Sequence, residues 1–276
     1  MASSVRQHAQ QTTPRGLPPR LAIVDWGIGG YGLYALVKAT QPALAVTYFS
    51  DAGTTPYGKL PPRELHTRLC QVVAFLAQQQ VTHVAIACNA ASTALPLMAP
   101  KSRVQSGRST VPWPQISGVL EHGARAVQRV RGTIGVVGGR RTILSQAYRR
   151  RLPNARLQQR IAQPISAFIE RGELHSPALT QALDTIMQPL AEVEALVLAC
   201  THYPAIAAQW ALRAPRARVI DPAAAMWQWM QRAWPIAAFA RGPDRHFSTG
   251  AIPQMRRAAR AAFGVKVNAV TRVVLR

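Results

Sequence analysis

Two stretches, HVAIACNAAST at 83–93 and ALVLACTHYPA at 195–205, share one pattern and decide the fold. Each is a short apolar run that ends in Ala-Cys and is followed by a polar residue. Continuously apolar runs are typical of strands covered on both faces, as in parallel sheets. An earlier pair, AIVDWGIGG at 22–30 and GVVGGRRTI at 135–143, repeats at nearly the same offset and opens into glycine-rich turns. The repetition predicts two similar α/β lobes.

Further apolar runs and helical periods alternate between these segments. We expect strands at 46–51, 116–121 and 217–221, and helices at 63–80 and 253–263. Strands that alternate with helices in this way indicate an α/β class with mainly parallel sheets.

Two segments lack this alternation. Residues 1–20 are polar and contain three prolines, and we expect a disordered tail there. The Pro- and Ser-bearing stretch 99–115 is predicted to cross between the lobes.

The composition fits a folded, soluble protein. The chain has 276 residues, 48% of them hydrophobic and 16% charged, so it can bury a core and is no disordered polyelectrolyte. No apolar run approaches the ~18–20 residues of a membrane-spanning helix. Cys70, Cys88 and Cys200 are too few and too scattered for a disulfide framework, and no CxxC pair suggests zinc. We therefore expect a reducing, cytoplasmic environment and no membrane partner.

The chain is strongly basic, with 33 Lys and Arg against 11 Asp and Glu and a net charge of +22. Ten arginines and no acid lie between Arg125 and Arg160. They predict a solvated basic surface, and a nucleic-acid or polyanion site is the alternative. No nucleic-acid-binding motif accompanies them, so we prefer the solvated surface.

Two of the cysteines follow predicted strands. In open parallel sheets, ligands bind beyond the carboxyl ends of the strands, where Cys88 and Cys200 would lie. Backbone N–H groups that open the next helix favour a thiolate there. Two thiols on facing lobes would approach one ligand from opposite sides, which suits racemisation because one removes a proton and the other returns one. Alternatively, each is a small buried hydrophobic side chain, the role that we assign to Cys70.

Polar residues beside these positions are further candidates. Asp25 ends the first strand before a turn, Gly27–Gly30, that brings the chain close to a ligand but lacks the spacing of a dinucleotide site. Its alternative role is a helix cap. His202 could polarise the Cys200 thiol, hold a carboxylate or cap the next helix. No lysine follows a strand to form a Schiff base with pyridoxal phosphate, so we expect no cofactor.

The motifs around these residues resemble those of glutamate racemases, in the cofactor-independent aspartate/glutamate racemase superfamily. The matching segments run in family order and cover nearly everything after residue 20. They are VDWGIGG (24–30), TPYG (55–58), ACNAAS (87–92), GVLEHGA (118–124), LACTHYP (198–204) and FSTG (247–250). ACN together with CTHYP at this separation is specific, and THYP indicates the glutamate branch.

The resemblance implies two doubly wound parallel-sheet lobes related by pseudo-twofold symmetry, with the active site between them. It assigns 21–112 plus 224–276 to the first lobe and 113–223 to the second. It also implies an amino-acid substrate, no cofactor, and D-glutamate production for bacterial peptidoglycan. The oligomeric state stays open, and a homodimer is one arrangement that we carry forward.

By match to the motifs, the resemblance assigns roles to individual residues. Cys88 would take the proton from D-glutamate, and Cys200 would take it from L-glutamate. Asp25 and His202 would assist the respective thiols, and Glu170 is a further candidate near Cys200. The residues expected to bind the substrate are Asp25, Trp26, Tyr57, Gly58, Asn89, Ala90, Thr201 and His202.

Two of these positions depart from the family pattern. Trp26 stands where the family has Ser after the Asp, and Ala90 stands where it has Thr after Cys-Asn. Both family hydroxyls contact the substrate, and a hydrogen bond to a charged group contributes about 1.5–3 kcal/mol. Two alternative hypotheses follow: a related racemase with an altered substrate, and a weakly active paralogue that binds nucleic acid through its arginine-rich surface.

Overall fold

The computed structural model describes residues 17–98, 103–106 and 109–275, in which strands and helices alternate. The strands of these residues are β1 (Leu21–Asp25), β2 (Val46–Ser50), β3 (His83–Ile86), β4 (Arg103–Ser106), β5 (Ser109–Pro112), β6 (Gln115–Gly118), β7 (Thr133–Gly138), β8 (Arg156–Ile161), β9 (Ala195–Ala199), β10 (Arg218–Ile220), β11 (Arg245–Ser248) and β12 (Thr271–Arg272). Their α-helices are α1 (Tyr31–Thr40), α2 (Pro62–Gln78), α3 (Asn89–Ser92), α4 (Val119–Val127), α5 (Arg140–Leu144), α6 (Ala147–Arg151), α7 (Gln163–Arg171), α8 (Pro177–Met187), α9 (Ala207–Arg213), α10 (Pro222–Ala233) and α11 (Ile252–Phe263).

The first sheet has the strand order β12-β11-β2-β1-β3-β6, and all its neighbouring strands are parallel. β1 lies between β2 and β3, with Leu21 opposite both Val46 and His83. All five residues of β1 are buried, as its continuous apolar run predicts. Because the chain order reverses beside β1, the sheet is doubly wound, and ligands are expected at its carboxyl edge.

The second sheet has the order β10-β9-β7-β8 and is also parallel. β7 and β9 are neighbours, as β1 and β3 are in the first sheet. The predicted α/β class with two similar parallel-sheet lobes is confirmed.

The helices cover these sheets with apolar faces. α2 begins with Pro62, which suits a first helical turn because it has no N–H to leave unsatisfied. Leu65, Leu69, Val72 and Leu76 recur at helical spacing and pack into the core of the first lobe. None of the helices in the described part of the chain has both the length and the apolarity that crossing a membrane requires.

The predicted boundary at residue 113 is wrong for one strand. β6 pairs with β3, with Ile86 opposite Gly118, so it extends the first sheet rather than the second. The stretch 99–115 is also more than a crossing, because β4 and β5 form an antiparallel hairpin within it. The remaining lobe boundaries stay predictions.

The predicted tail is shorter than 20 residues. The carbonyl of Pro19 accepts a hydrogen bond from Ala240 N–H, and that of Arg20 accepts from Thr82 and His83 N–H. These bonds hold the chain at the start of β1. Residues 1–16 of the predicted tail lie outside the described residues.

Candidate active site

The carboxyl ends of strands from both sheets face one cavity of about 560 Å³. Asp25 is the last residue of β1, Cys88 follows β3, and Cys200 directly follows β9. Both cysteines line the cavity and are partly exposed. Cys70 lies on α2, outside the cavity wall that the described residues form. The sequence repeat therefore brings two thiols, one from each lobe, to the same cavity.

Asp25 connects the two lobes in the cavity wall. Its carboxylate accepts hydrogen bonds from Gly27 N–H at 2.8 Å and from the Thr201 hydroxyl at 2.9 Å. Burial raises the pKa of Asp25, and nearby His202 and these two hydrogen bonds oppose the rise. The carboxylate is thus held in one orientation by a donor from each lobe.

The turn after β1 requires glycine because the second lobe lies against it. A Cβ at Gly27 would lie 2.5 Å from Glu170 Oε1, and one at Gly29 would overlap the Thr201 hydroxyl. The turn that the sequence predicts to approach a ligand thus also approaches the opposite lobe.

His202 and Glu170 form a buried pair beside Cys200. The imidazole Nε2 lies 2.6 Å from Glu170 Oε1, and Nδ1 lies 3.6 Å from the Cys200 sulfur. Burial alone would lower the pKa of His202, but its hydrogen bonds to Cys200 and Glu170 outweigh burial and raise the pKa well above its ordinary value. Burial likewise opposes ionisation of Glu170, yet the bond from His202 keeps the pKa of this carboxyl low. The pair is therefore an imidazolium and a carboxylate at neutral pH.

Cys88 has a different environment. It precedes α3, and the N–H groups of Ala90 and Ala91 point toward its sulfur. Burial and the charge of Asp25 nevertheless raise the pKa of the Cys88 thiol. The two cysteines occupy matching positions in the lobes, but only Cys200 has an imidazolium as a hydrogen-bond partner among the described residues.

Asn89 presents an unused donor. Its side-chain oxygen accepts a hydrogen bond from the Tyr148 hydroxyl at 3.1 Å, whereas Nδ2 is buried without a protein partner among the described residues. Asn89 also lines the cavity. A buried amide donor without a partner is costly, so a ligand acceptor would satisfy it.

Trp26, Tyr57, Gly58 and Ala90 also line the cavity. The Trp26 indole N–H donates to the Thr54 carbonyl at 3.1 Å. The Tyr57 hydroxyl donates to Asp51 at 2.7 Å, which leaves the ring and the main chain of Tyr57 for contact with a ligand. Neither Trp26 nor Ala90 offers a hydroxyl at its position.

Asp51 is a structural residue that the sequence analysis missed. It directly follows β2, is fully buried, and binds the Arg68 guanidinium through both carboxylate oxygens at 2.7 and 2.8 Å. It also accepts from Tyr57 and from Thr249 at 2.7 and 2.9 Å. Its position at the carboxyl end of a strand, where Asp25 also lies, is the sequence signal that could have identified it. Asp51 fixes the loop that carries Tyr57 into the cavity.

Arg141 lines the cavity although it belongs to the arginine-rich run. The prediction of a solvated basic surface is therefore wrong for this residue. α5 follows β7 at the carboxyl edge of the second sheet, and this position directs Arg141 toward the first lobe.

The described residues contain no group of three His, Cys, Asp or Glu side chains that could hold a metal ion.

Together these features define a two-lobed α/β protein with two thiols and an imidazolium–carboxylate pair around a small-molecule cavity. The chain belongs to the Asp/Glu/hydantoin racemase family, whose model matches residues 34–229.

Individual relatives agree with the family. A glutamate racemase from Synechocystis sp. is 30% identical over 211 residues, which cover 74% of this chain and 72% of the relative. One from Limosilactobacillus fermentum is 28% identical over 86% of this chain and 90% of its own. The structure of a glutamate racemase from Thermus thermophilus in complex with β-chloro-D-alanine superposes with a TM-score of 0.81. That protein is 27% identical, and the match covers 94% of this chain and 98% of that one.

Proposed function

We propose that the protein is a cofactor-independent amino-acid racemase that interconverts L- and D-glutamate. The observation that carries the proposal is the pair Cys88 and Cys200 at one cavity, from facing lobes, in a chain of the Asp/Glu/hydantoin racemase family. The names of the relatives support glutamate as the substrate.

The proposed reaction removes one proton from one face of the α-carbon and adds one proton to the opposite face. In the L-to-D direction, the Cys200 thiolate removes the α-proton from one face, and the Cys88 thiol donates its proton to the opposite face of the carbanion. The enzyme then holds Cys88 as the thiolate and Cys200 as the thiol, which is the state that D-glutamate requires. Proton exchange with water restores the starting state.

The surroundings of the two sulfurs support this division of roles. The His202 imidazolium puts a positive charge 3.6 Å from the Cys200 sulfur, where it stabilises the negative charge of a base. Glu170 keeps that imidazole protonated. Burial and Asp25 raise the pKa of Cys88, which favours the thiol that donates a proton. Asp25 also strengthens Cys88 as a base when the direction is reversed.

The remaining predicted residues would orient the substrate. The buried Asn89 amide donor lacks a protein acceptor among the described residues and would bind a substrate carboxylate. Thr201 is a second candidate donor, although its hydroxyl now binds Asp25. Main-chain groups of Tyr57 and Gly58 would complete the contacts.

Three further proposals follow from the activity. D-glutamate made by this protein would supply peptidoglycan synthesis. A cytoplasmic location would give the protein access to its substrate. The assembly that we propose is a homodimer. Light scattering on the purified protein measures the last of these, and a monomer mass contradicts it.

A related racemase with a different substrate is the second candidate function. It is favoured by Trp26 and Ala90, which line the cavity where two hydroxyl donors would otherwise lie. Trp26 would then pack against the side chain of that substrate.

One experiment separates these proposals. The purified protein is dialysed against a chelator and a carbonyl-trapping reagent, and every proteinogenic amino acid is assayed for racemisation by chiral chromatography. We expect glutamate to racemise without additives, whereas racemisation of another amino acid alone supports the second candidate. Activity that appears only after pyridoxal phosphate or a metal is added contradicts both.

A further inference from the structure

Arg141 is a cation inside the cavity without a carboxylate partner among the described residues. Three other cations line the same cavity: His202 pairs with Glu170, Arg171 pairs with Glu173, and Lys59 is exposed. Arg141 is half-buried and forms no salt bridge with any described residue. Partial burial of a guanidinium without a counter-ion is costly, and an anionic ligand would offset that cost.

Two hydrogen bonds to the first lobe orient the guanidinium. Its Nε–H donates to the Thr93 hydroxyl at 3.0 Å, and Nη1–H donates to the Leu60 carbonyl at 2.5 Å. The Nη2 amino group has no acceptor in the described part of the chain. A guanidinium that is fixed through two of its nitrogens and keeps a third amino group free is oriented to donate to a carboxylate.

The bond to Thr93 also ties Arg141 to the segment that carries Cys88. Thr93 in turn donates to the Ala90 carbonyl at 2.6 Å, so the guanidinium adjoins the turn where a hydroxyl donor is missing. Burial lowers the pKa of Arg141, and the interaction with nearby Cys88 opposes that change. The cation is therefore close to both the reacting sulfur and the position that lacks a donor.

We propose that Arg141 is a specificity-determining residue that binds a carboxylate of the amino-acid substrate through its free Nη2 amino group. It takes the place of the donor that is absent at Ala90. This inference rests on the proposed function, because it assumes that an amino acid occupies the cavity. The preferred substrates are then amino acids that carry a carboxylate within reach of Arg141.

Isothermal titration with three ligands tests the assignment. L-Glutamate has both carboxylates, L-glutamine lacks the side-chain carboxylate, and glutamate 1-amide lacks the α-carboxylate. We expect Arg141→Gln to weaken glutamate binding about ten- to hundredfold, since a hydrogen bond to a charged group is lost. One of the two amides lacks the carboxylate that Arg141 binds, and its affinity should be the same for wild type and Arg141→Gln. The identity of that amide shows which carboxylate is bound.

Two controls accompany the variant. Arg140→Gln removes the same charge from the neighbouring exposed residue, outside the described cavity wall, and should leave all three affinities unchanged. Arg141→Lys keeps the charge without the fork and should restore part of the glutamate affinity. Thermal unfolding of each variant shows that the protein is folded.

Two outcomes overturn the proposal. Arg141→Gln either leaves glutamate binding unchanged, or weakens all three ligands by the same factor, which indicates a purely structural contact between the lobes. Failure of the proposed function has a different signature: the wild-type protein does not racemise glutamate, whatever the pattern of dissociation constants.

Discussion

Replacing Glu170 with Gln removes the carboxylate that keeps His202 protonated, and we therefore expect the pKa of His202 to fall. The two side chains are 8% and 21% exposed and 2.6 Å apart, so solvent screens the pair only weakly. A hydrogen bond between charged groups contributes about 1.5–3 kcal/mol. Because about 1.4 kcal/mol is a factor of ten, loss of this bond corresponds to about a ten- to hundredfold change in an equilibrium or rate constant.

The fall in the pKa of His202 has a consequence for catalysis in both directions. Loss of the imidazolium removes the positive charge near the Cys200 sulfur, so kcat/KM for L-glutamate should fall by about tenfold at neutral pH. The alkaline limb of its pH profile should move to lower pH, because the pKa of His202 falls. Because L- and D-glutamate have equal free energies, kcat/KM for D-glutamate should fall by the same factor.

The pair also makes stability depend on pH. A lowered pKa of Glu170 contributes stability above the ordinary glutamate value of about 4.3, and a raised pKa of His202 contributes it fully below about 6.5. The difference in unfolding free energy between wild type and Glu170→Gln should be largest between these values. It should decrease at lower pH as Glu170 is protonated, and at higher pH as His202 loses its proton.

Histidine titration by NMR measures the predicted shift directly. Glu173→Gln is the matched control, because Glu173 lies three residues away on the surface and pairs with Arg171. The control should leave the pKa of His202 unchanged. An unchanged pKa of His202 in Glu170→Gln would refute the argument that the carboxylate controls its protonation.

Two further sets of substitutions test the site. Cys88→Ala and Cys200→Ala should each abolish racemisation, while Cys70→Ala should remain near wild type; a single cavity variant that interconverts both enantiomers at the parent rate contradicts the two-thiol assignment. Trp26→Ser combined with Ala90→Thr should raise kcat/KM for glutamate about tenfold or more, because each restored donor contributes about 1.5–3 kcal/mol before reorganisation. Unchanged kcat/KM for every amino acid tested would mean that these two positions do not contact the substrate.

The central strands could be predicted because each is buried on both faces. β1 and β9 are continuous apolar runs in which all residues are buried, so hydrophobicity alone identifies them. β8 has the sequence RLQQRI and lies at the edge of the second sheet, where most of its residues are exposed or partly exposed. Because the composition of β8 is polar, hydrophobicity does not identify it as a strand. β6 was recognised as a strand, but its pairing with β3 depends on contacts that no local pattern encodes.

The same distinction holds for the site. Asp25, Cys88 and Cys200 could be identified because Asp25 ends a strand and each cysteine follows one, and the topology brings strand ends together. The contact of Arg141 with Leu60 and Thr93 joins distant segments, and composition alone placed this arginine on a solvated surface. A run of basic residues predicts the average exposure of its side chains. The path of the folded chain determines where each single side chain points.

Deuterium incorporation from D₂O tests the two-thiol account most directly. The reaction is started from pure L-glutamate, and the α-deuterium content of the remaining substrate and of the product is measured by mass spectrometry after chiral separation at low conversion. If separate thiols act on opposite faces, the D-glutamate formed carries solvent deuterium while the recovered L-glutamate remains almost free of it. Equal deuterium in the recovered L-glutamate and in the product would contradict the account, because one exchanging base would then serve both faces.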